Sequence, residues 1–152
     1  MKLSTREDIE APIDTVHAAV TDFAAIERQL KKRGVDIGHD PATPLAGVGR
    51  RWQARASWRG REYRIVSELV SIDEARGYAI MSTTGGVECR TVVELIAQSK
   101  TRTRMLVSLD LRPTTLSSRL LIQSLRLAKG RLSHRLESRV SDFARRVENG
   151  TA

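Results

Sequence analysis

The C-terminal part of the chain constrains the fold most strongly, because its apolar residues recur at steps of three and four. This spacing places them on one stripe of a helix with 3.6 residues per turn. The stripe comprises Leu121, Leu125, Ala128, Leu132, Leu136, Val140, Phe143 and Val147. Pro113 followed by two threonines indicates a helix start, and Asn149-Gly150 indicates an end. We predict one long amphipathic helix, or two helices in line, between Pro113 and Glu148.

The predicted helix is too long to stay straight over a sheet. From Thr115 to Glu148 it would span about 50 Å at 1.5 Å per residue, whereas a strand is typically ~17–20 Å long. We therefore expect a bend or a break, either at Gly130 or before Leu121.

Three further leucines, Leu116, Leu120 and Leu127, keep helical spacing on the side opposite the stripe. They either tuck under neighbouring loops or have a more specific role. In the second case they form a lid over a cavity mouth, a dimer patch, or a membrane-contacting ridge flanked by Arg112, Arg119 and Arg126. The sequence leaves these alternatives open.

Between residues 34 and 111 the apolar pattern changes to a period of two, which is typical of strands with one apolar face. Arg59-Gly60 is a two-residue hairpin signal. Pairing across this turn sets Ala56 opposite Tyr63 and Ala54 opposite Ile65, so the apolar faces coincide. By the same argument, the last hairpin sets Leu95 opposite Met105 and Val93 opposite Val107.

The N-terminal part predicts one strand and two short helices. Residues 3–9 alternate weakly, Ala11-Pro12 interrupts the strand, and helical spacing follows from Ile13 to Phe23 and from about Ala24 to Lys32. The predicted order is a strand, two helices, six strands and a long helix. This order indicates an α+β fold in which a meandering antiparallel sheet is covered on one face by the last helix, within a single domain of residues 1–152.

This order and several short motifs resemble the START/polyketide-cyclase superfamily, which includes the birch-pollen allergen. The matching motifs are Ala11-Pro12-Ile13, Asp22-Phe23, Gly47-Val48-Gly49 and the terminal helix from Leu121 to Val147. The resemblance covers nearly the whole chain. It implies a helix-grip fold, in which a curved seven-stranded antiparallel sheet wraps around a long C-terminal helix. It also implies a cavity for an apolar ligand between the sheet and the helix. The sequence departs from the family where an aromatic residue is often found near the position of His17, and after Asp22-Phe23.

The side chains expected to line such a cavity are those on the inward face of each strand and on the helix stripe. They combine large apolar groups with small and hydroxyl-bearing ones, as small-molecule sites do. The predicted lining residues are Trp52, Ala54, Ala56, Tyr63, Ile65, Ser67, Tyr78, Ile80, Ser82, Cys89, Thr91, Val93, Met105, Val107, Leu121, Leu125, Ala128 and Leu132. The alternative is that these residues fill a solid core.

The sequence offers little support for metal, cofactor or covalent chemistry. The three histidines, His17, His39 and His134, lack metal-ligand spacing. We expect His134 to be exposed, and for His17 we favour a solvated position over one at a pocket mouth. Cys89 is expected to be a buried thiol with a raised pKa and no activating base. We predict no metal site, no cofactor and no catalytic residue, although Tyr63 and Tyr78 could hydrogen-bond a ligand carbonyl.

The charge is uneven along the chain. Lysine and arginine total 26 and aspartate and glutamate 18, so the net charge is 26 − 18 = +8, and most of it lies in the last third. The basic helix favours either a solvated surface or an acidic partner, but it lacks interleaved aromatic residues for nucleic acid. No apolar run reaches the ~20 residues of a membrane span, and the N-terminus lacks a signal-peptide core, so we expect a cytoplasmic protein.

Together these observations predict a protein that binds or transports a hydrophobic small molecule or lipid, as a monomer or homodimer. One alternative is a cyclase- or dehydratase-like enzyme that uses Tyr63 or Tyr78. A second is an adaptor that docks on an acidic membrane or RNA through its basic C-terminal helix; nucleic acid is the less favoured partner, and peripheral membrane contact stays open.

Overall fold

The computed structural model describes residues 1–151 as seven strands and four helices. The strands are β1 (Lys2–Ile9), β2 (Asp36–His39), β3 (Arg51–Trp58), β4 (Arg61–Asp73), β5 (Gly77–Thr84), β6 (Val87–Ala97) and β7 (Thr103–Pro113). The helices are α1 (Ile13–Val20), α2 (Phe23–Lys32), α3 (Leu116–Leu127) and α4 (Lys129–Glu148). The predicted order of a strand, two helices, six strands and a C-terminal helical segment is therefore confirmed.

All seven strands form one curved antiparallel sheet in the order β1-β7-β6-β5-β4-β3-β2. Only β1 is out of chain order, because it pairs with the last strand instead of the second. The β3–β4 register sets Ala54 opposite Ile65. The β6–β7 register sets Val93 opposite Val107. Both predicted registers are confirmed, since matching the two apolar faces leaves few alternatives when the side-chain period is two.

A register shift interrupts the pairing of β4 with β5 between Leu69 and Ser71. An extra residue on one strand bends that strand and increases its twist. Leu69, at the shift, is fully buried, so the bend is packed against the interior. Beyond the shift the pairing resumes with Ser71 opposite Ala79 and Ile72 opposite Tyr78.

The C-terminal helical segment is broken at Ala128, whose φ and ψ are −100° and 12°. The expected break is confirmed, but it lies two residues before Gly130, and the expectation of a break before Leu121 is wrong. The break gives the two halves different supports. Helix α4 lies along β1, and α3 packs on β7.

The fully buried core lies at the β1 end of the sheet. It joins β1, α1, β6, β7 and α4 through Ile9, Val16, Val20, Val93, Leu95, Met105, Val140, Ala144 and Val147, with Ala11 between β1 and α1. Part of the predicted helix stripe (Val140 and Val147, with Leu136 and Phe143 partly buried) therefore packs in a closed core. The predicted cavity wall is restricted to the helix residues before Leu136.

Candidate functional site

The predicted lining residues of the strands lie on one face of the sheet, which we call the inner face. Direct cross-strand partners show this because opposed residues point to the same side. Ile80 faces Thr91, and Ser82 faces Cys89. Ser67 faces both Trp52 and Ser82 across its two neighbouring strands.

The inner face is sealed at one end and accessible to solvent over the rest. Trp52, Val93 and Met105 are buried. The other strand residues of the predicted set are half-buried, namely Ala54, Ala56, Tyr63, Ile65, Ser67, Tyr78, Ile80, Ser82, Cys89, Thr91 and Val107. Val93 and Met105 belong to the core with α1 and α4, and Trp52 packs against Phe23 of α2, whereas α3 contacts β7. The inner face is therefore only partly covered over the middle strands, and we call this partly covered region the groove.

Helix α3 faces the sheet through other residues than predicted. Its buried side chains are Ser118 and Ile122. The predicted wall residues Leu121, Leu125, Ala128 and Leu132 are only half-buried. The break at Ala128 separates α3 from α4, and the lining role of Leu121 and Leu125 stays a prediction. The half-buried leucines remain beside the groove.

The N-terminus of α3 is fixed to the β5–β6 turn. The Thr114 hydroxyl donates to the Gly86 carbonyl at 2.9 Å. The Thr115 hydroxyl caps the helix by accepting from the Ser118 N–H at 3.1 Å. In return, the Ser118 hydroxyl accepts from the Thr115 N–H at 3.0 Å. This reciprocal capping box satisfies two of the helix's free donors. The wall of the groove is thus anchored at the turn end of the sheet.

Three aromatic rings close the opposite end of the groove. Phe23, the first residue of α2, packs edge-on against Trp52 and Tyr78, with ring centroids 5.1 Å and 5.3 Å away. Asp22 caps α2 by accepting from the Ala25 N–H at 3.1 Å, which fixes where the helix begins and where Phe23 points. The aromatic end wall consequently joins α2 to β3 and β5.

A polar network not foreseen from the sequence supports this wall. Glu27 on α2 accepts from Trp52 Nε1 at 2.7 Å and from Arg50 Nη2 at 3.2 Å. The Arg50 guanidinium carbon lies 4.9 Å from the Trp52 ring. The Arg50 and Glu27 side chains are only 16% and 19% exposed. Residue 50 shares the inward parity of Trp52 and Ala54, so the strand alternation could have identified Arg50, but nothing local indicated that Glu27 would meet it.

Hydroxyl groups provide the polar points within the groove. Ser67 Oγ lies 2.7 Å from Ser82 Oγ. One hydroxyl of such a pair donates to the other, so the second hydrogen stays available to a ligand. Cys89 Sγ lies 4.0 Å from Thr91 Oγ1. Burial raises the pKa of the Cys89 thiol, which agrees with the prediction of an unactivated cysteine.

Tyr78 is an inner-face residue whose pKa is strongly raised. Desolvation raises the pKa of its phenol to about 12. The hydroxyl is therefore protonated at neutral pH and can donate a hydrogen bond, but it is not a base. Tyr63 lies near the β3–β4 turn, with its ring centroid 6.4 Å from that of Trp58. The two tyrosines thus occupy opposite ends of the inner face.

A recess of about 840 Å³ lies beside the β4–β5 turn and α1. Of the predicted lining residues it includes Tyr78 and Val93. His17 also lines it, and its Nε2 atom is shielded from solvent with no hydrogen-bond partner among residues 1–151. The favoured expectation of a solvated His17 is therefore corrected in favour of the alternative at a pocket mouth, because α1 directs this residue toward the β4–β5 turn. His134 is exposed, as predicted.

Metal-ligating side chains do not cluster within residues 1–151: no group of three or more histidine, cysteine, aspartate or glutamate residues could hold an ion there. Across the same residues, no helix is both long and apolar enough to cross a membrane.

No protein-family profile matches the sequence, and no curated protein matches it by sequence. Solved structures do match along the whole chain. A protein from Thermus thermophilus is 18% identical, with a TM-score of 0.70 and complete coverage of both chains. The Zhui aromatase/cyclase from a Streptomyces species is 14% identical, with a TM-score of 0.67 over 97% of this chain and 95% of that one.

The norcoclaurine synthase of Thalictrum flavum, solved with a transition-state analogue, is 12% identical. Its TM-score is 0.66, over 100% of this chain and 96% of that one. This chain has the helix-grip fold. At such identities the likeness concerns the architecture alone. In this helix-grip protein Phe23, Trp52 and Tyr78 pack together at one end of the partly covered inner face.

Proposed function

We propose that this helix-grip protein binds a hydrophobic small molecule or lipid in the groove between the inner face and α3. The observation that supports this most directly is the half-buried state of the inner face. Its apolar side chains are directed inward, yet over the middle strands no helix among residues 1–151 covers them as α4 covers β1. Binding of an apolar ligand would remove this partly solvent-exposed apolar surface from water, which is favourable by ~25 cal/mol per Å².

The composition of the groove favours a mainly apolar ligand with one or two hydrogen-bonding groups. The predicted lining residues include no charged side chain. The ion pair beside the groove, Arg50 with Glu27, is internally neutralised. Tyr78 and the Ser67–Ser82 pair can donate hydrogen bonds, which would orient a carbonyl or hydroxyl on the ligand.

A fluorescence titration with a neutral apolar dye such as Nile red tests the proposal. We expect saturable binding by the wild-type protein. Ala54→Phe places a large side chain on the inner face and should weaken binding at least about tenfold, because its ring occupies the ligand's volume. Gln53→Phe adds the same ring on the outer face of the same strand and should leave the affinity unchanged.

Two results would contradict the proposal. One is wild-type protein that does not bind the dye and retains no small molecule in native mass spectrometry. The other is an equal loss of binding in Ala54→Phe and Gln53→Phe, because the dye would then report general surface properties. Far-ultraviolet circular dichroism of both variants verifies that each is folded.

A cyclase- or dehydratase-like reaction is the alternative, since the Zhui aromatase/cyclase and norcoclaurine synthase share the fold. In this chain the favoured role for Tyr78 is hydrogen-bond donation to a substrate carbonyl, because its raised pKa prevents it from acting as a base near neutral pH. Turnover of an aromatic or polyketide-like substrate that is lost in Tyr78→Phe would support the alternative. Absence of turnover across a panel of such substrates would count against it.

A further inference from the structure

The outer surface of α3 carries a ridge of leucines that the rest of the described chain, residues 1–151, leaves uncovered. Leu116, Leu120 and Leu127 are 79%, 67% and 92% exposed. They point away from Ser118 and Ile122, the residues through which α3 contacts the protein. We call these three residues the leucine ridge. Because these leucines are exposed, the alternative in which they tuck under neighbouring loops is excluded.

Basic residues border the leucine ridge along one flank of α3. Residues 113–136 contain five lysines and arginines and no aspartate or glutamate, whereas Arg112 is paired with Asp110. Arg119 and Arg126 each precede a ridge leucine and are seven residues apart, so they lie on the same flank of the helix. Neither has an ion-pair partner within residues 1–151.

The basic surface continues beyond the break, where α4 begins with Lys129 and Arg131. Both side chains are exposed. The leucine ridge is therefore bordered by the arginines of one flank of α3 and is followed along the chain by the cations that begin α4.

We propose that the leucine ridge docks on the surface of an anionic lipid bilayer. An interfacial helix inserts its apolar side chains at the boundary of headgroups and acyl chains and keeps its cations among the lipid phosphates. Arginine side chains reach from such a helix to the headgroup layer while their stems stay apolar. At 12 residues, α3 would lie about 18 Å along the membrane plane.

The charge pattern favours a lipid surface over the other occupants. A second copy would bring two acid-free basic helices face to face, where their like charges repel. A nucleic acid would use the arginines but would leave three leucines exposed to water, and the ridge has no aromatic residue to stack on bases. The ridge is separate from the groove, so the proposal holds whether or not the groove binds a ligand.

Co-sedimentation with unilamellar vesicles tests the proposal. We expect binding to vesicles of phosphatidylcholine mixed with phosphatidylglycerol, and much weaker binding to phosphatidylcholine alone. The double variant Leu120→Ser/Leu127→Ser should weaken binding to the mixed vesicles at least about tenfold. Its control is Val66→Ser/Ile96→Ser, which removes two exposed apolar side chains from the sheet and should bind as the wild type does.

A second pair of variants tests the charges. Arg119→Gln/Arg126→Gln should lose about fivefold in affinity per arginine on the mixed vesicles, with a weaker dependence on salt. Arg28→Gln/Lys31→Gln removes the same charge from the exposed face of α2 and should retain nearly full binding.

Three results would overturn the proposal. The first is no binding to the mixed vesicles at low salt. The second is binding that the leucine variant retains in full, since charge alone would then explain it. The third is a wild-type dimer by light scattering that Leu120→Ser/Leu127→Ser converts to a monomer, which would assign the ridge to a second copy. A thermal unfolding scan verifies that the variants keep the wild-type fold, as expected for exposed positions.

Discussion

Replacing Glu27 with alanine tests whether the polar network at the end of the groove holds α2 on the sheet. The change removes the carboxylate that accepts from Trp52 Nε1 at 2.7 Å and from Arg50 Nη2 at 3.2 Å. Glu27 and Arg50 are 23 residues apart and belong to different layers of the fold. Their contact is therefore tertiary, and its loss should appear in the free energy of unfolding.

The expected magnitude follows from burial. Breaking a fully buried ion pair costs about 3–5 kcal/mol, because the remaining charge is left uncompensated. Arg50 and Glu27 keep 16% and 19% of their side-chain surface in solvent, so the penalty is partly relieved. A hydrogen bond to a charged group contributes about 1.5–3 kcal/mol. We expect Glu27→Ala to lower the free energy of unfolding by about 2–3 kcal/mol and Glu27→Gln, which retains an acceptor for Trp52, by about 1 kcal/mol.

Urea unfolding followed by far-ultraviolet circular dichroism measures both variants, and tryptophan fluorescence reports on Trp52 directly. The matched control is Glu62→Ala. Glu62 faces Arg55 at 4.0 Å, with 58% and 57% of their side chains exposed, so this pair contributes at most about 0.5 kcal/mol. The reasoning is refuted if Glu27→Ala costs no more than Glu62→Ala at equal m-values.

Three further predictions concern other sites. A hydrogen bond from Arg104 lowers the pKa of Asp8 below 3.8. The ionised Asp8 therefore stabilises the fold above its unfolded-state pKa, and this contribution is lost as the pH falls through its folded-state pKa. Asp8→Asn should consequently flatten the acid side of a plot of urea midpoint against pH. The Tyr78 phenol, with a pKa of about 12 against 10.0 when unfolded, should stay protonated at pH 11 in an ultraviolet titration. Stability should therefore fall above pH 10, and less so in Tyr78→Phe. Gly77→Ala would place a methyl group inside contact distance of the Val93 carbonyl oxygen, at φ +134°. It should lower the free energy of unfolding, measured with urea, by at least about 3 kcal/mol. Gly85→Ala, at φ +48° with open space around it, should lower it by about 1 kcal/mol.

Much of the sheet could be predicted from the sequence, since its registers follow from local periodicity. The alternation around Arg59-Gly60 was enough to pair Ala54 with Ile65, as the structure does. A shift by one residue would have turned every apolar side chain of that hairpin to the wrong face. The same reasoning placed Val93 opposite Val107 and the predicted lining residues of the strands on one face.

The candidate site itself could be predicted only in part, because it depends on how the layers meet. The inward residues of the groove were identifiable from alternation, but the end wall needs Glu27 of α2 to reach Trp52 across 25 residues. Likewise, the α3 contact through Ser118 and Ile122 depends on the rotation that the break at Ala128 permits. The helical periodicity alone identified a stripe that includes Leu121 and Leu125, and it did not identify Ser118 and Ile122 as the buried residues of α3.

The sequence by itself determined the elements, their order and the face that each presents, because these follow from residue spacing and from the limited geometries of helix and strand. Only the tertiary structure decided which surfaces close and which stay open. Helix α4 packs along β1 and contributes to the core, whereas α3 is held at its N-terminus by the hydrogen bond from Thr114 to Gly86 and leaves the leucine ridge exposed. Helix packing of this kind depends on the balance of contacts across the whole fold, which no local stretch of residues contains.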